Sequence, residues 1–318
     1  VLAGVLFAMA AGCLWGLIFV GPLVVPDYPG IMQSAGRYVA FGLIAVPLAW
    51  HDQRRLRQLN SGDWMEALKL SLVGNLLYYA FLASAIQRTG APVSTMLIGT
   101  LPVVISISAN FFYGHLEGRL SWRSLTPALL LILAGLLCVN FAELDARQGP
   151  VDLPGYLMGI GLALLAVVCW TWYPLRNARW LRMHPQARPA TWATAQGLMT
   201  LPLALLAWGL ACAQLMLTQP AFSLPFGPRP ATFLSLMLAI GLLCSWLGAM
   251  CWNTACQRLP TVIVGPLIVF EILFGLLWTF VWRQSWPPML TLCGIVCLMA
   301  GVIAAMRIKP QPVVVEVR

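Results

Sequence analysis

AIQRTGAPVSTMLIGTLPVV (residues 85–104) and ACQRLPTVIVGPLIVFEILF (residues 255–274) are two versions of one pattern. Ala85, Gln87 and Arg88 match Ala255, Gln257 and Arg258 at a constant offset of 170 residues, and Pro102 and Pro266 then interrupt the apolar runs that follow. Trp15 in CLWG pairs in the same way with Trp170 in VCWT, and Ala134-Gly135 with Ala300-Gly301. Matches that recur in the same order read as an internal duplication. The split falls near residue 148, giving a first half of residues 1–147 and a second of residues 148–318.

The surrounding sequence states the solvent. Of 318 residues, 60% are hydrophobic and only 9% charged, far from the roughly 25% charged of a soluble domain. Apolar runs lie at about 2–21, 31–50, 66–86, 91–113, 122–142, 154–175, 190–212, 232–254, 261–282 and 288–307. Each is long enough to cross a bilayer as a helix, and none alternates in polarity as a barrel strand does. The expectation is an all-α integral membrane protein of ten transmembrane helices, the run from Leu2 being a retained span rather than a signal peptide. Five spans per half is an odd number, so the two repeats are inverted with respect to one another.

Charge gives the orientation. The formal charge of +9 does not form a basic surface for nucleic acid, because the arginines and lysines flank apolar spans. Arg54, Arg55 and Arg57 follow the second span, and Arg176, Arg179, Arg182 and Arg188 follow the sixth. Placing both connections inside puts 14 basic residues on that face, with Lys69, Arg119, Arg123, Arg258, Arg307, Lys309 and Arg318, against Arg37, Arg88, Arg147, Arg229 and Arg283 outside. The acidic connection with Glu143, Asp145 and Asp152 then falls outside, and both termini are cytoplasmic in a multi-pass plasma membrane protein of the bacterial inner membrane. The nine cysteines lie in apolar stretches without CxxC spacing and read as small hydrophobes, so no metal or other cofactor is expected.

Glu271 stands alone among apolar and small neighbours in LIVFEILFGLL (267–277), roughly 15 Å from either end of its span at about 1.5 Å per residue. A carboxylate that deep costs about 2.5 to 3.5 kcal/mol on insertion scales and must face the bundle or a cavity. It serves either as a proton or substrate-amine site or as a hydrogen-bonded structural link. Gly275, one turn on, leaves space beside it, and Pro266 frees the carbonyl of Val262 so that the helix bends below it. Asn75, Tyr78 and Tyr79 lie in the third span too deep for an interfacial aromatic belt. With Trp15, Trp170 and Trp252 they form the candidate substrate cavity, suited to an amine or an aromatic ring. Arg37, with Gln33 and Ser34 one turn earlier, pairs either with a substrate carboxylate or with lipid phosphate and loop carbonyls.

These pieces together resemble the drug/metabolite transporter superfamily, in particular its ten-helix EamA-type exporters. The matching segments are CLWG, Arg37 early in the second span, the stretch at 85–104, GHLEG with Glu117, and ACQRL followed by VFEILFG. Ile272 departs from the proline often found after that glutamate, and Ser285 from a usual acidic position. The resemblance implies that four helices of each half surround a central cavity while the fifth and tenth lie at the back.

The expected function is therefore secondary transport, as an exporter, of a small organic metabolite such as an amino acid or related amine. Alternating access would proceed around a midplane cavity, coupled to protons through Glu271. The alternatives are a non-coupled uniporter of the same fold and an intramembrane lipid-modifying enzyme. Enzymes of that kind use paired carboxylates, a metal cluster or a nucleophile with its base, whereas His51, His115 and His184 all lie in loops. No G-x-x-x-x-G-K-[ST] motif for nucleotide binding occurs. The expected partners are the substrate, protons and the lipid bilayer, with the protein a monomer or homodimer.

Overall fold

A computed structural model describes residues 1–89, 97–114, 120–144, 153–284 and 286–308. The boundary after residue 147, Glu117, Arg119, Asp145, Arg147, Asp152, Ser285, Lys309 and Arg318 lie outside those residues, as does the start of the fourth span.

The described residues form ten helical rods in the expected order. They are α1 (Leu2–Gly16, tightening to a 3-10 turn at Leu17–Phe19), α2 (Gly30–His51), α3 (Ser61–Leu70, continued through Ser71–Leu77 and Tyr78–Thr89), α4 (Leu101–Phe112) and α5 (Trp122–Leu144). The second five are α6 (Leu153–Met183), α7 (Pro189–Thr218), α8 (Pro230–Ile240, continued through Gly241–Leu247 and Gly248–Arg258), α9 (Thr261–Leu267 and Val269–Arg283) and α10 (Met289–Met306). Seven stretches are long and apolar enough to cross a membrane, with α4 and α5 contributing shorter apolar helices. The remaining rod, α3, carries Asp63, Glu66 and Lys69 near its start, closed by a reciprocal cap between Asn60 and Asp63. Proline stands at the first helical position of α7 and α8, where its missing amide costs nothing.

Two irregularities recur. Ser71–Leu77 in α3 and Gly241–Leu247 in α8 are both wide π turns, 170 positions apart, the offset seen in the sequence. The α9 rod breaks at Ile268, just past Pro266, and α4 restarts after a turn at Gly99–Thr100 with Pro102 in its first turn. Packing follows the same exchange of halves: α5 lies on α10, α2 on α7 and α4 on α9, while α1 lies on α8 as α6 lies on α3. At the α5–α10 seam Gly135 meets the backbone of Gly294, and Gly301 meets Ile132 and the Ala128 carbonyl, the small-residue contact that replaces hydrophobic driving force inside lipid.

The connections sort to two ends. At one, Thr191 donates to the Asp52 carboxylate, Arg176 grips Glu66 with two nitrogens, Trp180 Nε1 donates to Asp63 (3.1 Å) and Gln257 donates to the Ala187 carbonyl (2.7 Å). Arg258 also covers Phe7 of α1 there, at 4.8 Å. At the other, the Tyr28 hydroxyl links the Phe226 carbonyl and the Arg229 amide (2.9 and 2.8 Å), and Arg229 pairs with Asp27 (2.7 Å).

Candidate functional site

Glu271 is in the first turn of the second α9 segment, immediately after the break at Ile268. That turn sets the carboxylate at the positive end of the segment's dipole, inside the bundle rather than at its surface, with the Glu271 amide itself donating to the Ile268 carbonyl (3.0 Å). Its backbone is held against α1, where a side chain on Gly12 would meet the Glu271 nitrogen at 2.9 Å. The carboxylate lies within electrostatic reach of Arg37 on α2. Tyr38 of α2, Tyr78 of α3 and Cys244 of α8 also lie in its field. Among the described residues it makes no hydrogen bond or ion pair, and its side chain remains partly accessible.

A wall of aromatic rings starts at Tyr78, which stacks on Trp170 at 4.6 Å. Trp170 in turn stacks on Tyr173 (5.3 Å) and meets Trp15 edge-on (6.3 Å), and Trp15 tilts against Trp252 (5.2 Å). Four rods, α1, α3, α6 and α8, thus bring one face each to the same place. Among the described residues, the buried indole nitrogen of Trp252 finds no hydrogen-bond partner, and neither does the hydroxyl oxygen of Thr171. A buried donor left unpaired costs about 1 to 3 kcal/mol, so an acceptor arriving there is favoured.

The structure therefore gathers Glu271, Tyr78, Trp15, Trp170 and Trp252, and separates the other three candidates. Asn75 donates to Thr200 Oγ1 (3.1 Å) and belongs to a polar seam between α3 and α7. Tyr79 donates to the Gly30 carbonyl (2.7 Å) and lines a cavity of about 240 Å³ with Ser34, Tyr38 and Ala204. The space beside Gly275 is taken by the Phe19 ring, and α1 approaches through Gly16 on the same helix. In these places a π turn in α3 and a glycine contact between helices decide where a side chain points, and neither is written in helical spacing.

Two features add to the sequence reading, which left Arg37 between a substrate carboxylate and lipid phosphate with loop carbonyls. Arg37 is not at the lipid surface: its Nε donates to Ser245 Oγ (2.9 Å) and its guanidinium lies 5.1 Å from the centroid of the Tyr38 ring, inside the bundle. Its place about 9 Å inside the second span, at 1.5 Å per residue, was the available signal. The second is a buried seam where Asn177 joins α6, α7 and α8. Its Nδ2 donates to Asn253 (2.8 Å) while its Oδ1 accepts from Trp192 Nε1 (2.8 Å) and Gln196 Nε2 (3.0 Å). Tyr173 donates to Gln196 Oε1 (3.0 Å), tying the seam to the aromatic wall.

Such a bundle, with a broken helix, a midspan carboxylate and an aromatic wall, defines a membrane transport protein more readily than a receptor or scaffold. The chain belongs to the EamA-like transporter family of the drug/metabolite transporter superfamily, which residues 2–141 match directly. It is 59% identical over 99% of its length to the Inner membrane protein YtfF of Escherichia coli K12, covering 98% of that protein. It is also 30% identical over 142 residues to the Arabidopsis thaliana WAT1-related protein At3g02690, chloroplastic, covering 44% of this chain and 33% of that one. A crystal structure superposes over 95% of this chain and 96% of its own with a TM-score of 0.73 at 17% identity, a likeness of fold.

Proposed function

We propose that this transporter exports a small organic metabolite, an amino acid or related amine, by alternating access between two inverted five-helix halves, residues 1–147 and 148–318. The matching π turns and the exchangeable packing of the halves support that division. The observation that carries the reading is the Glu271 carboxylate at the midspan helix break, which makes no hydrogen bond or ion pair among the described residues and lies within electrostatic reach of Tyr78, whose ring stacks on Trp170. A primary amine gains there from both the carboxylate and the ring faces. Glu271 binds either the coupling proton or that amine, and the aromatic rings select the side chain. The end holding Asp52, Asp63, Glu66 and Arg176 is the cytoplasmic one, closed by their hydrogen bonds, and both chain termini lie on that side.

Counterflow in proteoliposomes tests this reading. Purified protein loaded with each unlabelled amino acid or amine in turn should accumulate the labelled counterpart transiently, and Glu271→Gln should abolish either that uptake or its coupling to a pH gradient. Absence of counterflow for every amino acid and amine, with correctly folded protein, refutes it.

A further inference from the structure

We propose that a phospholipid occupies the cavity between α2, α3 and α7, its phosphate held by Arg88, its ester carbonyls by the Ser34 and Tyr38 hydroxyls, and an acyl chain lying along Leu77. Glu271, Trp15, Trp170 and Trp252 do not line that cavity, and the inference goes beyond the transporter reading and stands without it.

The cavity follows from the build of α3. α7 packs along α3 from Ser61 to Leu77, but past the π turn the Tyr78–Thr89 segment lies chiefly on α6. The two rods part there and leave a space of about 240 Å³, walled on its third side by α2. Two side chains of α2 in that wall, Ser34 and Tyr38, are only 9% and 5% exposed. Among the described residues neither hydroxyl makes a hydrogen bond, and neither oxygen is sealed off. The Gln214 side-chain amide lines the same space from α7 and is likewise unengaged among the described residues. A hydroxyl or amide left without an acceptor is costly inside a membrane, so an arriving carbonyl is favoured.

Depth and charge then select the occupant. α2 starts at Gly30, so Ser34 and Tyr38 lie about 6 and 12 Å below the helix end at about 1.5 Å per residue. The polar layer of a bilayer is about 5 to 8 Å deep on each side, which puts Ser34 at the level of the ester carbonyls and Tyr38 just beneath them. Leu77 and Ala80 in the cavity wall are exposed, and so are Leu72, Leu206 and Leu210 on the same two rods, an apolar flank that lipid covers. At the end of α3, Arg88 donates through one terminal nitrogen to the carbonyl of Ser84, itself part of the cavity wall (3.0 Å). Its other nitrogens make no hydrogen bond among the described residues, and the exposed guanidinium stands at headgroup level, where it meets a phosphate. No carboxylate lines the cavity to take an ammonium group, so the headgroup is an anionic one such as phosphatidylglycerol rather than phosphatidylethanolamine.

The experiment titrates the purified, delipidated protein in detergent micelles with phosphatidylglycerol or phosphatidylethanolamine and counts bound lipid by native mass spectrometry. Wild type should retain phosphatidylglycerol in preference. Arg88→Gln removes charge-assisted hydrogen bonds to the phosphate and should weaken that binding about 10-fold, while Arg88→Lys keeps part of it. Arg229→Gln removes an arginine at the same end, one already paired with Asp27, and should leave the affinity unchanged. Ala207→Leu fills the cavity from α7 and should abolish retention; if it does not fold, Ala80→Leu fills the same space from α3. Wild-type retention in Arg88→Gln or in a folded filling variant overturns the proposal, as does equal retention of the two lipids. Glycerol 3-phosphate and inorganic phosphate, which carry no acyl chains, should not displace the lipid even in large molar excess. Displacement by either assigns the cavity to a soluble phosphate and overturns the lipid. Displacement by an amino acid or amine that gives counterflow assigns it to the transported molecule, which overturns the lipid and leaves the transporter reading intact.

Discussion

Asn177→Ala should be among the most destabilising single changes in this protein. Asn177 is fully buried and makes three side-chain hydrogen bonds, to Asn253, Trp192 and Gln196, that tie α6 to α7 and α8. Side-chain hydrogen bonds between membrane helices average about 0.6 kcal/mol and reach about 1.7 kcal/mol, so losing three costs about 2 to 5 kcal/mol. The upper part of that range applies because the donors of Trp192 and Gln196 are themselves 1% and 2% exposed and find no water to replace Asn177. Reversible unfolding of the purified protein in mixed micelles with increasing SDS measures the loss. Asn253→Ala and the double variant complete a cycle, in which groups in direct contact should couple by about 0.5 kcal/mol or more. A loss below about 0.5 kcal/mol in Asn177→Ala, or strict additivity with Asn253→Ala, would refute a dry, continuous seam.

Four further outcomes follow from particular positions. Gly16→Ala places a methyl 2.7 Å from the Gly275 nitrogen and the Phe274 carbonyl carbon, backbone that cannot swing aside, and should cost about 1 to 3 kcal/mol. Gly209→Ala, with nothing within 4 Å, should instead stabilise by up to about 1 kcal/mol, and SDS unfolding of both checks the opposite signs. Partial burial pushes the Asp52 carboxyl up, but hydrogen bonds from Thr191 and Arg55 and the Arg55 and Arg188 charges outweigh it and hold the group below its ordinary range. The stability Asp52 contributes is thus present above the ordinary carboxylate range and lost only as pH falls through the depressed value. The gap between wild type and Asp52→Asn should stay constant from neutral pH to about pH 5 and close below that range, as thermal melts across pH will report. A cysteine placed in the residue 51–64 connection should resist an impermeant thiol reagent in intact cells and react once the membrane is opened. Ready labelling in intact cells reverses the orientation.

How much of this was legible differs by level. The ten rods follow from apolar runs of spanning length, and the 170-residue offset drawn from Gln87 and Arg88 reappears in the π turns at Ser71–Leu77 and Gly241–Leu247. The isolated carboxylate of Glu271 pointed to the bundle interior because lipid forbids any other place for it. What spacing did not reveal was direction. Asn75 lies within a wide π turn and is drawn to Thr200, whereas Tyr78, just past that turn, turns to Trp170. Gly275 read as open space, but whether a neighbour fills it depends on the tertiary approach of Phe19. Arg37 stayed between two readings because an arginine near a span end can reach the headgroups as readily as the interior, and only the packing of α2 against α8 decides between them. Asn177, Gln196 and Asn253 lie on three different rods, so no local pattern assembles them.

The role of Glu271 in transport is tested most directly by substrate exchange and pH-driven accumulation in proteoliposomes, comparing wild type with Glu271→Gln between about pH 5.5 and 8.5, the range in which a coupling group must both take up and release its proton. If Glu271 carries the proton, Glu271→Gln loses accumulation but still equilibrates substrate at a rate independent of pH. If it binds the substrate amine, exchange is lost at every pH. Wild-type affinity together with wild-type pH dependence in Glu271→Gln would contradict the account and leave the carboxylate a structural feature of α9.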